Sequence, residues 1–322
     1  MIYDLYYHND FDGRAAAAIM LAFLRSRGDD VEHFAALGYE MADQYTKENF
    51  FAEHKFFKGK RNPAIVVDFA FHPKAAWWFD HHPTTFKKES WRRKFKSTKY
   101  WHYEPKYESC CAEVAAVLKN DFGWEGPAHF KELIRWGDYL DGAHYRSVRE
   151  VMELRSLGTQ IDAFVDRYAT DPKRTGKPFI EMLAAKPLRE IVRLPAIQHT
   201  VTQVLKNRKA ALGYYRKHML VAGRVGYVDL SRKDFEKMRF AGYYFHPSLL
   251  YMVRILKKGG LFQISVGQNP WRRKESRVNI GDLMKKYGGG GHQGVGATET
   301  KTKKAAEKVA KEIVAYLETK SN

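Results

Sequence analysis

The stretch from Ile2 to Arg25 limits the fold more than any other part of the chain. Ile2 to Tyr7 alternates and is rich in β-formers, which predicts a strand. It runs directly into His8-Asn9-Asp10-Phe11-Asp12-Gly13, and Arg14 to Arg25 is an Ala-rich helix. Residues two apart in extended backbone face the same side, so His8, Asp10 and Asp12 can converge. Gly13 permits the turn. A strand, a turn carrying three ligand-type side chains, and a helix open a parallel α/β layer, whose sites lie beyond the carboxyl ends of the strands. An Asp-rich turn with a helix cap accounts for Asp12 but poorly for His8 and Asp10 together.

Later strand ends repeat the chemistry. Val31 to Leu37 is a candidate strand, and Met41 to Phe57 mixes aromatics and charges in a helical pattern. Ala64 to Val67 is apolar throughout, as in a buried parallel strand, and it ends in Asp68. Trp77 to Phe79 predicts the next strand, followed by Asp80-His81-His82 and stopped by Pro83. Imidazoles and carboxylates in such a place need partners, and a divalent metal is one. A helix from Pro127 to Tyr139 delivers Trp136-Gly137-Asp138-Tyr139-Leu140-Asp141, where Asp138 or Asp141 is a further ligand candidate.

The segment from Thr84 to Tyr107 alternates basic and aromatic residues with little apolar periodicity. That composition suits either single-stranded nucleic acid, gripped by cations and stacked on rings, or a solvated loop whose rings pack on the domain. Helices are expected over 109–119, 147–157, 161–168 and 178–185, with a turn-rich loop at 171–178. Leu188 to Leu220 reads as one long helix or two joined, connecting two domains. Beyond it, 224–230, 248–256 and 260–267 predict strands, and Val278 to Tyr287 a helix with Asn279 as its cap. Gly288 to Gly291 with His292 form a glycine-dense turn able to approach an anion, and Thr302 to Leu317 closes the chain as a helix.

A length of 322 residues suits two domains. We expect a catalytic domain over 1–190, a connector helix over 191–222, and a smaller α/β substrate-binding domain over 223–322. No run approaches the roughly 20 apolar residues of a membrane span, and the acidic N-terminus lacks the basic region of a signal peptide. The only cysteines are the adjacent Cys110 and Cys111, so a reduced, cytoplasmic protein is expected. The net charge of +18 points to a polyanionic partner.

In order, the chain carries H-x-D-x-D-G after its first strand, Asp68 at a strand end, D-H-H after the next strand, G-D-Y-L-D on a helix, and G-G-G-H in a separate C-terminal region. This set resembles the DHH phosphoesterase superfamily, in the branch with the DHH-associated C-terminal domain. That branch includes RecJ-type exonucleases, nanoRNases and cyclic-dinucleotide phosphodiesterases. The resemblance implies an N-terminal parallel-sheet domain with helical insertions, and two Mn2+ ions, with Mg2+ as the alternative. His8, Asp10 and Asp68 would hold one ion; Asp12, Asp68, His81 and Asp138 would hold the other, with Asp68 shared and Asp138 preferred to Asp141. Asp80 would orient the His pair, and His82 would face the phosphate or leaving group. Gly289, Gly290, Gly291 and His292 would bind a substrate phosphate. The family often carries an Arg soon after a strand Ser; Ser265-Val266-Gly267-Gln268 has none, and Arg272, Arg273 or Arg277 is the candidate replacement. Hard oxygen ligands with one or two imidazoles favour such ions, and a pair about 3.5–4 Å apart can hold attacking and leaving oxygens in line.

Three functions follow as expectations. The first is an Mn2+-dependent phosphodiesterase that trims short oligonucleotides or single strands to mononucleotides. The second uses the same centre on a cyclic dinucleotide, adenosine bisphosphate or polyphosphate. The third is a nucleic-acid-binding protein with a vestigial metal site, which the full ligand set disfavours. A homodimer is the candidate assembly.

Overall fold

The computed structural model describes every residue except Lys55, Lys58, Asp234, Glu236, Lys237 and Asn322, and every other side chain except those of Glu40 and His292. The chain forms two compact units, one of residues 1–144 and 157–200, the other of 145–156 and 201–322. This differs from boundaries at 190 and 222. Met152 packs with Ala211, Tyr215, Val228 and Met252 in the core of the second unit, which draws its segment there. The expected connector is two helices, Leu188–Val192 and Pro195–His218, with Pro195 opening the second.

Among the described residues the first unit holds a five-stranded sheet: β1 (Ile2–His8), β2 (Asp30–Leu37), β3 (Ala64–Val67), β4 (Trp77–Asp80) and β5 (Trp101–Tyr103). The order is β2-β1-β3-β4-β5 and every pairing is parallel. From β1 the chain crosses to one neighbour and then returns to the other side, so the strand order switches direction between β1 and β3. Ligand crevices open beyond the strand ends at such a point. Ile65, Val66, Val67, Trp78 and Phe79 are fully buried, which is why β3 and β4 are apolar on both faces. Helix Phe11–Ser26, called α1, follows β1 and is buried along most of its length, so alanines suit it.

Thr84 to Tyr107 is neither a bare loop nor an open stacking platform. It contains the helix Glu89–Lys94 and the strand β5. Trp91 is buried, and Phe86, Phe95, Trp101 and Tyr103 pack against a core containing Phe71 and Trp78. The rings are used for packing; the exposed Arg92, Arg93 and Lys94 face outward.

In the second unit, the described residues form a six-stranded sheet of β6 (Leu220–Ala222), β7 (Val225–Asp229), β8 (Tyr251–Lys258), β9 (Leu261–Gln268), β10 (Gly290–His292) and β11 (Val295–Thr300). Its order is β10-β11-β9-β8-β7-β6, antiparallel except for β7 against β8. Helices Ile280–Lys285, capped by Asn279, and Lys303–Thr319 bury Ile280, Met284, Ala306, Ala310 and Ile313 against it. Among the described residues no helix is long and apolar enough to cross a membrane.

Candidate metal centre

The first unit collects its ligand-type residues at the carboxyl ends of β1, β3 and β4. His8 is the last residue of β1. Asp10 caps α1, its side chain accepting from the Gly13 N–H at 3.0 Å, and Asp10 Oδ2 lies 2.7 Å from His8 Nδ1. Gly13 is needed here for space: a Cβ would lie 2.4 Å from the His8 carbonyl oxygen. The close approach of α1 to the strand end brings Asp12 into the same cluster.

Asp12 is buried, and both its oxygens accept backbone N–H groups at the start of helix Cys110–Phe122. Cys110 donates at 2.6 Å and Cys111 at 3.0 Å. The helix N-terminus thus holds a carboxylate in place, with the dipole favouring its charge. The two cysteines serve through their backbone, and their thiols are buried and free.

Asp68 follows β3 in the left-handed region, at φ 59, a conformation seldom adopted by non-glycine residues. Its N–H donates to the Phe79 carbonyl at 2.9 Å. The carboxyl sits between the histidines: Oδ2 is 3.5 Å from His8 Nδ1, and Oδ1 is 3.8 Å from His81 Nε2 and 3.6 Å from His82 Nδ1. A backbone outlier held this way marks a site where position outweighs strain.

The triplet after β4 divides its roles. Asp80 Oδ1 holds His82 Nδ1 at 2.7 Å. His81 Nδ1 lies 3.0 Å from the Tyr107 carbonyl, to which it can only donate, leaving Nε2 with its lone pair. That nitrogen lies 3.8 Å from Asp12 Oδ2 and 3.4 Å from Asp141 Oδ2. Asp138 is turned elsewhere, accepting from the Ser109 hydroxyl at 2.6 Å. Of the two aspartates on helix Phe130–Asp141, Asp141 therefore meets His81 and Asp138 does not. Gly137 lets this helix close in, since a Cβ there would lie 2.2 Å from Cys111 Sγ.

The donor set fits divalent cations. His8, Asp10 and Asp68 present ligand atoms within 4.8 Å of one another, and so do Asp12, His81 and Asp141. His81 Nε2 and both oxygens of Asp68 are buried without a hydrogen-bond partner, and the buried His8 Nδ1 faces only the carboxylates of Asp10 and Asp68. Such groups are costly to bury unless a cation satisfies them. The electrostatics agree. Burial, then the charges of Asp12 and Asp10, push the Asp68 carboxyl well above its usual range. Burial and the charges of Asp12 and Asp10 push Asp141 up to about 7. For His82, burial opposes the cation, but Asp80 outweighs it by charge and hydrogen bond, and the ring is raised to about 9.

The other predicted residues lie in the second unit. Gly290 to His292 is not a turn but the edge strand β10, in register with Ala297, Gly296 and Val295. Cβ atoms at Gly289 and Gly291 would lie 2.1 and 2.2 Å from the Ala297 and Val295 carbonyl oxygens, so close strand pairing itself calls for glycine. The side chain of His292 lies outside the described residues. Arg277 is exposed in the segment before helix Ile280–Lys285. Arg272 is engaged by the Pro247 carbonyl and Glu275.

Sequence reasoning missed Tyr39, whose ring lies 4.6 Å from the His8 ring and is 52% exposed beside the cluster. An isolated Tyr after a strand gives no signal of its own. The Ser109, Cys110 and Tyr107 contacts were also invisible, being made by backbone or by a cap.

No protein-family model and no curated protein sequence matches the chain. Solved structures do. A pGpG-specific phosphodiesterase, PggH from Vibrio cholerae, aligns with a TM-score of 0.70 and 19% identity over 99% of both chains. RecJ in complex with Mn2+, from Thermus thermophilus, aligns at 0.63 and 12%, over 98% of this chain and 52% of RecJ. An exopolyphosphatase-related protein from Bacteroides fragilis aligns at 0.53 and 14%, over 99% and 92%. At these identities the shared property is the fold.

Proposed function

We propose that this chain, which has the fold of the DHH phosphoesterases, is a divalent-metal-dependent phosphodiesterase acting on short single-stranded oligonucleotides. The observation that carries the reading is Asp68, a buried carboxylate with neither oxygen hydrogen-bonded, set between His8 and His81. His8, Asp10 and Asp68 would hold one ion; Asp12, Asp68, His81 and Asp141 would hold a second. Mn2+ suits this oxygen-rich set with one imidazole on each side, and Mg2+ is the alternative. When bound, such a pair activates water and neutralises charge on the phosphoryl oxygens.

The chain's own groups do the positioning. The backbone N–H groups of Cys110 and Cys111 fix Asp12, and the Tyr107 carbonyl fixes the His81 ring. Asp80 holds His82 by its Nδ1, and His82, beside the cluster, would face a substrate phosphate. Tyr39 offers an exposed ring for a nucleobase. A net charge of +18 favours polyanions. Phe86, Trp91, Phe95, Trp101 and Tyr103 pack into or against the core and only Tyr100 stays largely exposed among the aromatics of 86–103, which weakens the argument for a long stacking track and favours short substrates.

The similar structures include a pGpG-specific phosphodiesterase, RecJ in complex with Mn2+ and an exopolyphosphatase-related protein, and they support phosphoester chemistry at this fold. Incubation with labelled di- to pentanucleotides and Mn2+, with products identified by mass, tests the reading. Mononucleotides that appear with Mn2+ and vanish with chelator are expected. Activity confined to polyphosphate or nucleoside bisphosphate would move the same centre to a small-ester substrate.

A further inference from the structure

Arg14 stands one turn along α1 from the candidate ligand Asp10, and it is 1% exposed. A guanidinium keeps its charge when buried, so such a position ordinarily comes with a carboxylate. Among the described residues, every hydrogen bond of Arg14 goes instead to a neutral oxygen. Nη1 donates to the Asp10 carbonyl at 2.9 Å. Nε donates to the Thr175 carbonyl at 2.7 Å, and Nη2 donates to the Ala169 carbonyl at 2.7 Å and the Thr175 hydroxyl at 3.0 Å. The Tyr7 ring centroid lies 5.6 Å from Cζ.

The segment that Arg14 reaches is braced by its own bonds. The Asp171 side chain accepts from the Lys173 and Arg174 N–H groups and caps the short helix Pro172–Thr175. Thr175 is fully buried, and its hydroxyl donates to the Tyr168 carbonyl at 2.6 Å while accepting from Arg14. Gly176 lets the chain fold back closely, since a Cβ there would lie 2.4 Å from the Pro172 carbonyl oxygen. At the other end of the guanidinium is the main chain of Asp10, whose Oδ2 lies 2.7 Å from His8 Nδ1. One buried side chain thus joins the first ligand turn to a stiff segment 161 residues further along.

We propose that Arg14 is a positioning residue for the ion that His8, Asp10 and Asp68 would hold: by clamping the Asp10 main chain to 169–175, it fixes the direction of the Asp10 carboxylate. This rests on the metal-dependent reading above. Groups that orient a ligating side chain change metal affinity by about 10- to 100-fold when removed. The bonding makes the effect selective. Asp12 is held by the Cys110 and Cys111 N–H groups and His81 by the Tyr107 carbonyl, and none of these is a partner of Arg14. The ion at Asp12, His81 and Asp141 should not respond. Shape matters as well as charge. The guanidinium fork reaches Asp10, Ala169 and Thr175 together, whereas a lysine ammonium is a point charge on a flexible stem.

Calorimetric titration with Mn2+ in two backgrounds tests this. Asp141→Asn leaves the His8, Asp10 and Asp68 set intact, and Asp10→Asn leaves the Asp12, His81 and Asp141 set intact. In the first background Arg14→Met and Arg14→Lys should each weaken Mn2+ binding by about tenfold or more. In the second, both should stay within about twofold of their parent, as expected for groups with no shared partner. Thr175→Val keeps Arg14 and removes one of its acceptors. It should weaken Mn2+ by about threefold in the first background only, and it decides the matter if the Arg14 variants do not fold. An equal loss in both backgrounds, as general loosening of the fold would give, would overturn the clamp. Unchanged binding in both, or full binding by Arg14→Lys, would also overturn it. Wild type that takes up no Mn2+ would remove the metal centre itself and the clamp with it. Wild type with two ions and an unselective effect of Arg14 would remove the clamp alone.

Discussion

Asp141 Oδ2 lies 3.4 Å from His81 Nε2, in a cluster that also contains Asp12. Asp138, one turn earlier on the same helix, instead accepts from Ser109. The two aspartates therefore respond differently to loss of charge. Asp141→Asn should lower diesterase activity by about 100-fold or more and weaken Mn2+ binding, since it removes a metal-facing oxygen. Asp138→Asn should cost about tenfold or less, acting through Ser109 and the start of helix Cys110–Phe122. Steady-state rates and Mn2+ titration of both variants check this, and the reverse order would return the ligand role to Asp138.

The acidic cluster makes stability depend on pH in an unusual direction. Burial, then Asp12 and Asp10, raise Asp141 to about 7 in the metal-free protein, and burial raises Asp68 and Asp12 as well. A carboxyl whose folded pKa lies above its unfolded value binds more protons when folded. Its stabilisation is complete below about pH 4 and is lost as pH rises through 7. His82, raised to about 9 against burial by Asp80, contributes in the same sense, full below about 6.5 and lost through 9. Chelator-treated protein should melt at a lower temperature at pH 8 than at pH 5.5. Mn2+ should raise the melting temperature more at pH 8, because binding no longer has to displace protons. Equal shifts at both pH values would contradict this.

Two glycines on helices should respond oppositely to alanine. At Gly13 a Cβ meets the His8 backbone at 2.4 Å, and overpacking of this kind costs about 1–3 kcal/mol. Gly13→Ala should lower stability by that order and weaken metal binding by displacing His8. At Gly213, within helix Pro195–His218, nothing lies within 4 Å of the Cβ position. Gly213→Ala should be neutral or stabilising by up to about 1 kcal/mol. Chemical denaturation measures both.

Tyr39 reports on the substrate. Base stacking on an exposed ring is worth about 1–3 kcal/mol. Tyr39→Ala should raise KM for a dinucleotide about tenfold, with Tyr39→Phe close to wild type and bis(p-nitrophenyl) phosphate turnover little changed. An equal loss on both substrates would assign the ring to packing on His8 instead.

Much of the first unit was legible because β3 and β4 are apolar throughout and stop at acids and imidazoles. That pattern has few uses other than a parallel sheet with a polar crevice at its end. Asp68 and His81 stood out as candidates for the same reason, and Asp12 through its spacing from His8 and Asp10 after β1. The choice between Asp138 and Asp141 was not legible, because both lie near the helix end and only its rotation, allowed by Gly137 against Cys111, decides which one turns inward. Segment 84–107 misled because its aromatic spacing follows a short helix and an edge strand rather than one period. The glycines at 289–291 read as a turn because sequence alone does not separate a glycine held by close contact, as at 289, from one that also needs a positive φ, as at 291, or from one that needs neither, as at 290. The domain boundary moved because a short segment around Met152 packs with residues far along the chain.

Diffraction from Mn2+-soaked crystals, collected at the manganese absorption edge, tests the central claim most directly. Two anomalous peaks are predicted, one against His8, Asp10 and Asp68 and one against Asp12, His81 and Asp141, with Asp68 touching both. No peak beside Asp68, or manganese bound only elsewhere in the molecule, would contradict it.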